Sequence, residues 1–133
     1  MRREDLVQEW LEPADEDGRA AEHLRDLKPE PREIICFHYQ QAAEKHLKAV
    51  IQSYTTDVPK SHDLLLLLQR VAGLVPGLES LEGECNQLND YAVTVRYPVR
   101  IDVTDEDVEA ARRAATRIRH VVRDSLTSGN SSG

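Results

Sequence analysis

Apolar residues recur at helical spacing in five stretches of this 133-residue chain, divided by proline- and glycine-bearing turns. The first runs from Glu4 to about Leu27, with Ala14, Ala21, Leu24 and Leu27 on its core stripe and Leu6, Trp10 and Leu11 leading in. Pro13 interrupts it, because proline removes an interior hydrogen bond; a kink or a fresh helix start is expected there. After the Lys28-Pro29-Glu30-Pro31 turn, a second helix is predicted from near Pro31 to about Ser53, and a loop from Tyr54 to Lys60. A third, from His62 to about Ala72, holds five consecutive leucines, so it should be sandwiched between others. Ser61 is placed to cap it, with Asp63 in its first turn. The fourth spans about Leu78 to Val95, stopped by Pro98. The fifth opens at Thr104-Asp105-Glu106-Asp107 and turns Val108, Ala111, Ala115, Ile118, Val122 and Leu126 inward. Its other face carries Arg112, Arg113, Arg117, Arg119 and Arg123, read as a mostly solvated face. The expectation is an all-α bundle of four to five helices over residues 1–127, with residues 128–133 a disordered tail.

Composition narrows the class. Aromatics make up 5% of the chain, which favours helices over a sheet. The formal net charge of −7 argues against a protein that coats nucleic acid nonspecifically, while leaving room for a local basic pocket. Cys36 and Cys85 fall on apolar helix faces 49 positions apart, as reduced core thiols would in a cytoplasmic protein. Two distant cysteines do not supply metal-ligand spacing, and no cofactor is called for. The longest aliphatic run, Leu64 to Leu68, is far too short to span a bilayer, so no membrane association is expected.

The second helix carries one unusual feature. His38, Gln41, Lys45 and Lys48 fall on a single side of it, so this stripe faces either water or something anionic. An imidazole, an amide and two ammonium groups, with Arg96 nearby, suit a phosphate. Read blandly, His38 and Gln41 satisfy buried neighbours while Lys45 and Lys48 sit on the surface. His46 lies off the stripe and reads as packing. His62 opens a helix, where it either helps to cap or reaches an anion. Arg96 and Tyr97 stand against the helix-stopping Pro98, which holds a guanidinium and a phenol on the rim of the bundle. In its bland role Arg96 is a cation at a helix C-terminus, paired with Asp90 or Glu84.

Three blocks in register resemble the HEPN (higher eukaryotes and prokaryotes nucleotide-binding) domain. They are Phe37-His38-x-Gln40-Gln41-Ala42-Ala43-Glu44-Lys45-x-Leu47-Lys48-Ala49, Ser61-His62-Asp63-Leu64, and Leu88-x-x-Tyr91-x-x-x-x-Arg96-Tyr97-Pro98. The resemblance covers about Trp10 to Leu126. It implies an up-and-down helical bundle, pairing as a homodimer, and partnership with a small nucleotidyltransferase in prokaryotic toxin–antitoxin-like modules. Many HEPN proteins are metal-independent ribonucleases in which an arginine is followed four to six residues later by a histidine. Here Arg96 is followed by Tyr97 to Val103 with no histidine, so that pair does not carry over. A histidine from elsewhere, His38 first and His62 second, is the weak catalytic alternative alongside Arg96. The resemblance also points to Tyr97 or Tyr91 as an acceptor for modification by a nucleotidyltransferase. Three readings follow. The first is a noncatalytic nucleotide- or RNA-binding module using His38, Gln41, Lys45, His62, Tyr91, Arg96 and Tyr97. The second is a divergent ribonuclease toxin, and the third a dimeric interaction scaffold.

Overall fold

A computed structural model describes residues 2–92 and 102–131, with side chains described through Thr127. Among the described residues five helices form: α1 (Arg3–Leu24), α2 (Arg32–Tyr54), α3 (Leu64–Ala72), α4 (Glu82–Asn89) and α5 (Asp105–Ser131). A single 3₁₀ turn, Leu78–Leu81, leads into α4. Gly77 precedes that turn at φ 95°, a left-handed conformation suited to glycine. Among the described residues there is no strand.

Helix α2 is the hub, packed against α1, α3, α4 and α5. Ile35, Cys36, Ala43, Leu47 and Val50 on it are buried at 0–1% exposure, against Leu64, Leu67, Leu81, Leu88, Ala111 and Ile118. Each large aliphatic side chain buried this way contributes about 1.5–3 kcal/mol. Helix α1 runs antiparallel to α2, as its cross-links show: Trp10 with Gln52, Asp17 with Lys45 and His38, and Glu22 with Tyr39. Helix α5 starts beside the start of α2, where Arg32 meets Asp105 at 2.9 Å, and runs antiparallel to α1 through Arg25–Glu109 and Asp15–Arg123.

Several expected boundaries move, each for a local reason. Pro13 lies inside a continuous α1 rather than dividing it. Helix α1 ends at Leu24, so Leu27, placed on the core stripe by spacing, is 51% exposed beyond the cap. Asp63, not Ser61, caps α3: its carboxylate accepts from the backbone N–H groups of Leu65 and Leu66. The Ser61 hydroxyl instead accepts from the backbone of Asp63 at 3.0 Å. Helix α4 stops at Asn89, six residues before the expected Val95. There the ladder tightens to i→i+3 bonds, Tyr91 to Leu88 and Ala92 to Asn89. The Asn89 amide is drawn across to α3, accepting from Leu64 N at 2.8 Å and donating to Asp63 at 2.8 Å.

The start of α5 is as the sequence predicts, a reciprocal cap between Thr104 and Asp107. Its C-terminal end runs on to Ser131, past the Leu126 at which the apolar spacing stops. Its arginine face stays largely exposed, as expected, while also making ion pairs. Arg117 meets Glu84 at 2.6 Å and Arg119 and Arg123 both reach Asp15, tying α5 to α4 and α1.

Candidate functional site

Two members of the polar stripe of α2, His38 and Lys45, face α1. His38 Nδ1 lies 2.9 Å from Asp17 Oδ1, and Lys45 Nζ lies 2.5 Å from Asp17 Oδ2. One carboxylate therefore holds both cationic candidates, and it is itself only 13% exposed. Lys48, expected at the surface or on an anion, is buried at 5%. Its ammonium bonds Glu44 at 3.0 Å and sits 5.5 Å over the Trp10 ring. Both ammonium groups of the stripe are thus engaged by carboxylates, Lys45 by Asp17 of α1 and Lys48 by Glu44 of α2.

A second group forms where the loop before α3 crosses α2. Glu44 Oε1 receives His62 Nδ1 at 2.9 Å and Gln41 Nε2 at 3.4 Å. Gln41 also donates to the side-chain oxygen Oε1 of Gln40 at 2.7 Å, and Gln40 Nε2 donates to the backbone carbonyl of His62 at 3.0 Å. His62 stays 68% exposed at its side chain.

These contacts divide the sequence-predicted residues. Tyr91 lies half-buried against Cys36, and burial pushes its phenol up to about 12. Cys36 and Gln40 are each two positions from His38, and two positions turn an α-helix by about 200°. Tyr91 and His62 therefore lean on the side of α2 away from His38. Gln41 and His62 are brought together through Glu44, and His38 and Lys45 through Asp17. Arg96 and Tyr97 lie outside the described residues, and so does any pairing of Arg96 with Asp90. Glu84, the other expected partner of Arg96, is engaged by Arg117.

The residues that organise both groups, Asp17 and Glu44, were not singled out in the sequence. The Glu44–Lys48 pair has a legible signal, opposite charges four apart on one helix. Asp17 has none, since its partners lie 21 and 28 positions away.

A separate cleft of about 610 Å³ opens between α1, α2 and α5, lined among others by Asp15, Gly18, Tyr39, His46 and Arg119. His46 is 2% exposed, more deeply packed than its off-stripe position required. Its Nδ1–H donates to the Ala42 carbonyl at 2.8 Å, and burial lowers its pKa to about 4. Among the described residues, no three His, Cys, Asp or Glu side chains converge as a metal site. None of the described helices is long and apolar enough to cross a membrane.

A sequence comparison with curated proteins gives no match. Among solved structures, the crystal structure of TT1696 from Thermus thermophilus superimposes with a TM-score of 0.77 at 28% identity, covering 90% of this chain and 97% of that one. ST0689, an archaeal HEPN homologue, superimposes with a TM-score of 0.68 at 22% identity, covering 93% of this chain and 98% of that one, which speaks for a shared fold. The HEPN domain family model matches residues 7–125, from the first buried residue of α1 almost to the last apolar residue of α5. With the match running over all five described helices, α2 at their centre, this chain belongs to the HEPN domain family.

Proposed function

We propose that this HEPN domain is a noncatalytic nucleotide- or RNA-binding module, acting in the cytoplasm with a small nucleotidyltransferase in a toxin–antitoxin-like pair. The observation that carries the reading is His62. Its ring is 68% exposed yet fixed by Glu44, next to Gln41, at the point where Asn89 ties the end of α4 to the head of α3. The chain that follows α4 bears Arg96 and Tyr97 only seven and eight positions after Asn89. In this reading Gln41 and His62 contact the nucleoside, Arg96 supplies the phosphate contact, and a homodimer is the working form. His38 and Lys45, held on Asp17, contribute to the frame rather than to the ligand.

Binding of a ligand to the folded state alone raises stability by RT ln(1 + [L]/Kd), about 1.4 kcal/mol at ten times Kd. Millimolar ATP, GTP or a short RNA should then raise Tm by about 4 °C. His62→Ala and Arg96→Ala should lose the rise. No rise with any of the three sinks the reading. RNA cleavage by the wild type that Arg96→Ala or His62→Ala abolishes would favour a ribonuclease instead. Purification from the native host without a nucleotidyltransferase would remove the proposed partner.

A further inference from the structure

Glu44 is 3% exposed, and both of its oxygens are engaged. Lys48, 7% exposed at its side chain, balances its charge, and Gln41 adds a third donor. The buried pair is therefore complete without a histidine. His62 is nevertheless fixed twice, through its backbone carbonyl by Gln40 and through its ring by Glu44. Immobilising an exposed ring through such a contact gains little stability, since solvent competes for the bond. The arrangement makes sense as orientation.

The direction of that orientation follows from hydrogen-bond chemistry. A carboxylate only accepts, so the nitrogen facing Glu44 carries the proton. The neutral ring then has its lone pair on Nε2, the nitrogen turned away from the carboxylate. Among the described residues Nε2 has no partner. The surroundings disfavour a phosphate at this spot. Asp63 follows directly in sequence, and its carboxylate already occupies the α3 amides that would otherwise attract an anion. Lys48 is turned inward on Glu44.

We infer that Glu44 is a positioning residue that presents His62 Nε2 as a hydrogen-bond acceptor, so that this site reads a donor on its ligand, a ribose hydroxyl or a nucleobase amino group. The inference rests on the nucleotide-binding reading above and deepens it: the nucleoside, not the phosphate, is recognised at the head of α3.

Nitrogen NMR of the full chain tests the orientation without any ligand. His62 should be found as the Nδ1–H tautomer in the wild type. In the double variant Glu44→Leu/Lys48→Met, which removes the buried charges together and so keeps the fold, it should revert to the Nε2–H form usual in water. An Nε2–H tautomer in the wild type, or no change in the double variant, overturns the positioning role. Calorimetry with adenosine, ATP and inorganic phosphate tests the recognition. Adenosine should bind and phosphate should not displace it. His62→Gln, which retains an acceptor, should stay within about threefold of wild type, while His62→Lys, a donor only, should lose at least tenfold. Nucleotide binding equal in wild type and His62→Lys overturns the inference and leaves the binding reading standing. No binding of adenosine or ATP to the wild type overturns the nucleotide reading and the recognition half together, and the tautomer result then decides the positioning half alone.

Discussion

His38 Nδ1 sits 2.9 Å from Asp17 Oδ1, so the imidazole that the sequence offered to a phosphate is held by a carboxylate of the neighbouring helix. The same Asp17 takes Lys45 at 2.5 Å with its other oxygen. Charge that reads as unpaired along one helix is paired across two.

Asp17→Asn should therefore destabilise the fold, by about 1–2 kcal/mol, because it withdraws the charge that compensates Lys45 and receives His38. Adding Lys45→Met should recover part of that loss. Urea denaturation of the single and double variants measures both, and additive losses would show that the contact is not coupled.

His46 makes stability depend on pH in mildly acidic solution. Its pKa is lowered to about 4 in the fold against the ordinary 6.5, so the unfolded chain binds more protons between those values. Stability should fall as pH drops from 6.5 to about 4, by up to ~3 kcal/mol, and this contribution should level off below 4. Asp15 of α1 pulls the other way, 3.8 Å from Nε2, while Arg119 and Arg123 of α5 reinforce the depression. His46→Gln should flatten the dependence between pH 4 and 6.5 in thermal melts, with acid unfolding below pH 4 retained.

Asn89 joins the end of α4 to the cap of α3, and Asp63 supplies that cap. Asp63→Ala should cost about 1–2 kcal/mol, and Asn89→Ala about the same, since each leaves orphan groups at the α3 terminus. Hydrogen exchange should show the amides of Leu65 and Leu66 losing protection in Asp63→Ala before those of α2 do.

Cys36 and Cys85 are both fully buried, and burial pushes each thiol up to about 12. Neither should react with a thiol reagent in the native protein at pH 8, and both should react in denaturant. Rapid labelling of one under native conditions would place it at a surface.

The sequence by itself determined the helical class, the number of helices and most of the core. Leu47, Leu64, Leu67, Cys85, Leu88, Ala111 and Ile118 all lie at 0% exposure, where apolar spacing puts them. Apolar periodicity is a local property of one helix, and Thr104-Asp107 is a cap within four residues, so both are legible along the chain. Where helices end was less legible. Helix α4 ends at Asn89, whose side chain is engaged by Asp63 and Leu64, 26 and 25 positions away. The Glu44–Lys48 pair is legible as well, four positions apart on α2, whereas tertiary structure alone decided the partners of the other polar candidates. Whether His38, Lys45 and His62 meet water, an anion or a carboxylate depends on which element lies alongside. Packing α1 against α2 brought Asp17 to His38 and Lys45, and packing the α3 turn there brought His62 to Glu44. A partner on another element is set by distance in space, and spacing along one helix carries no record of it.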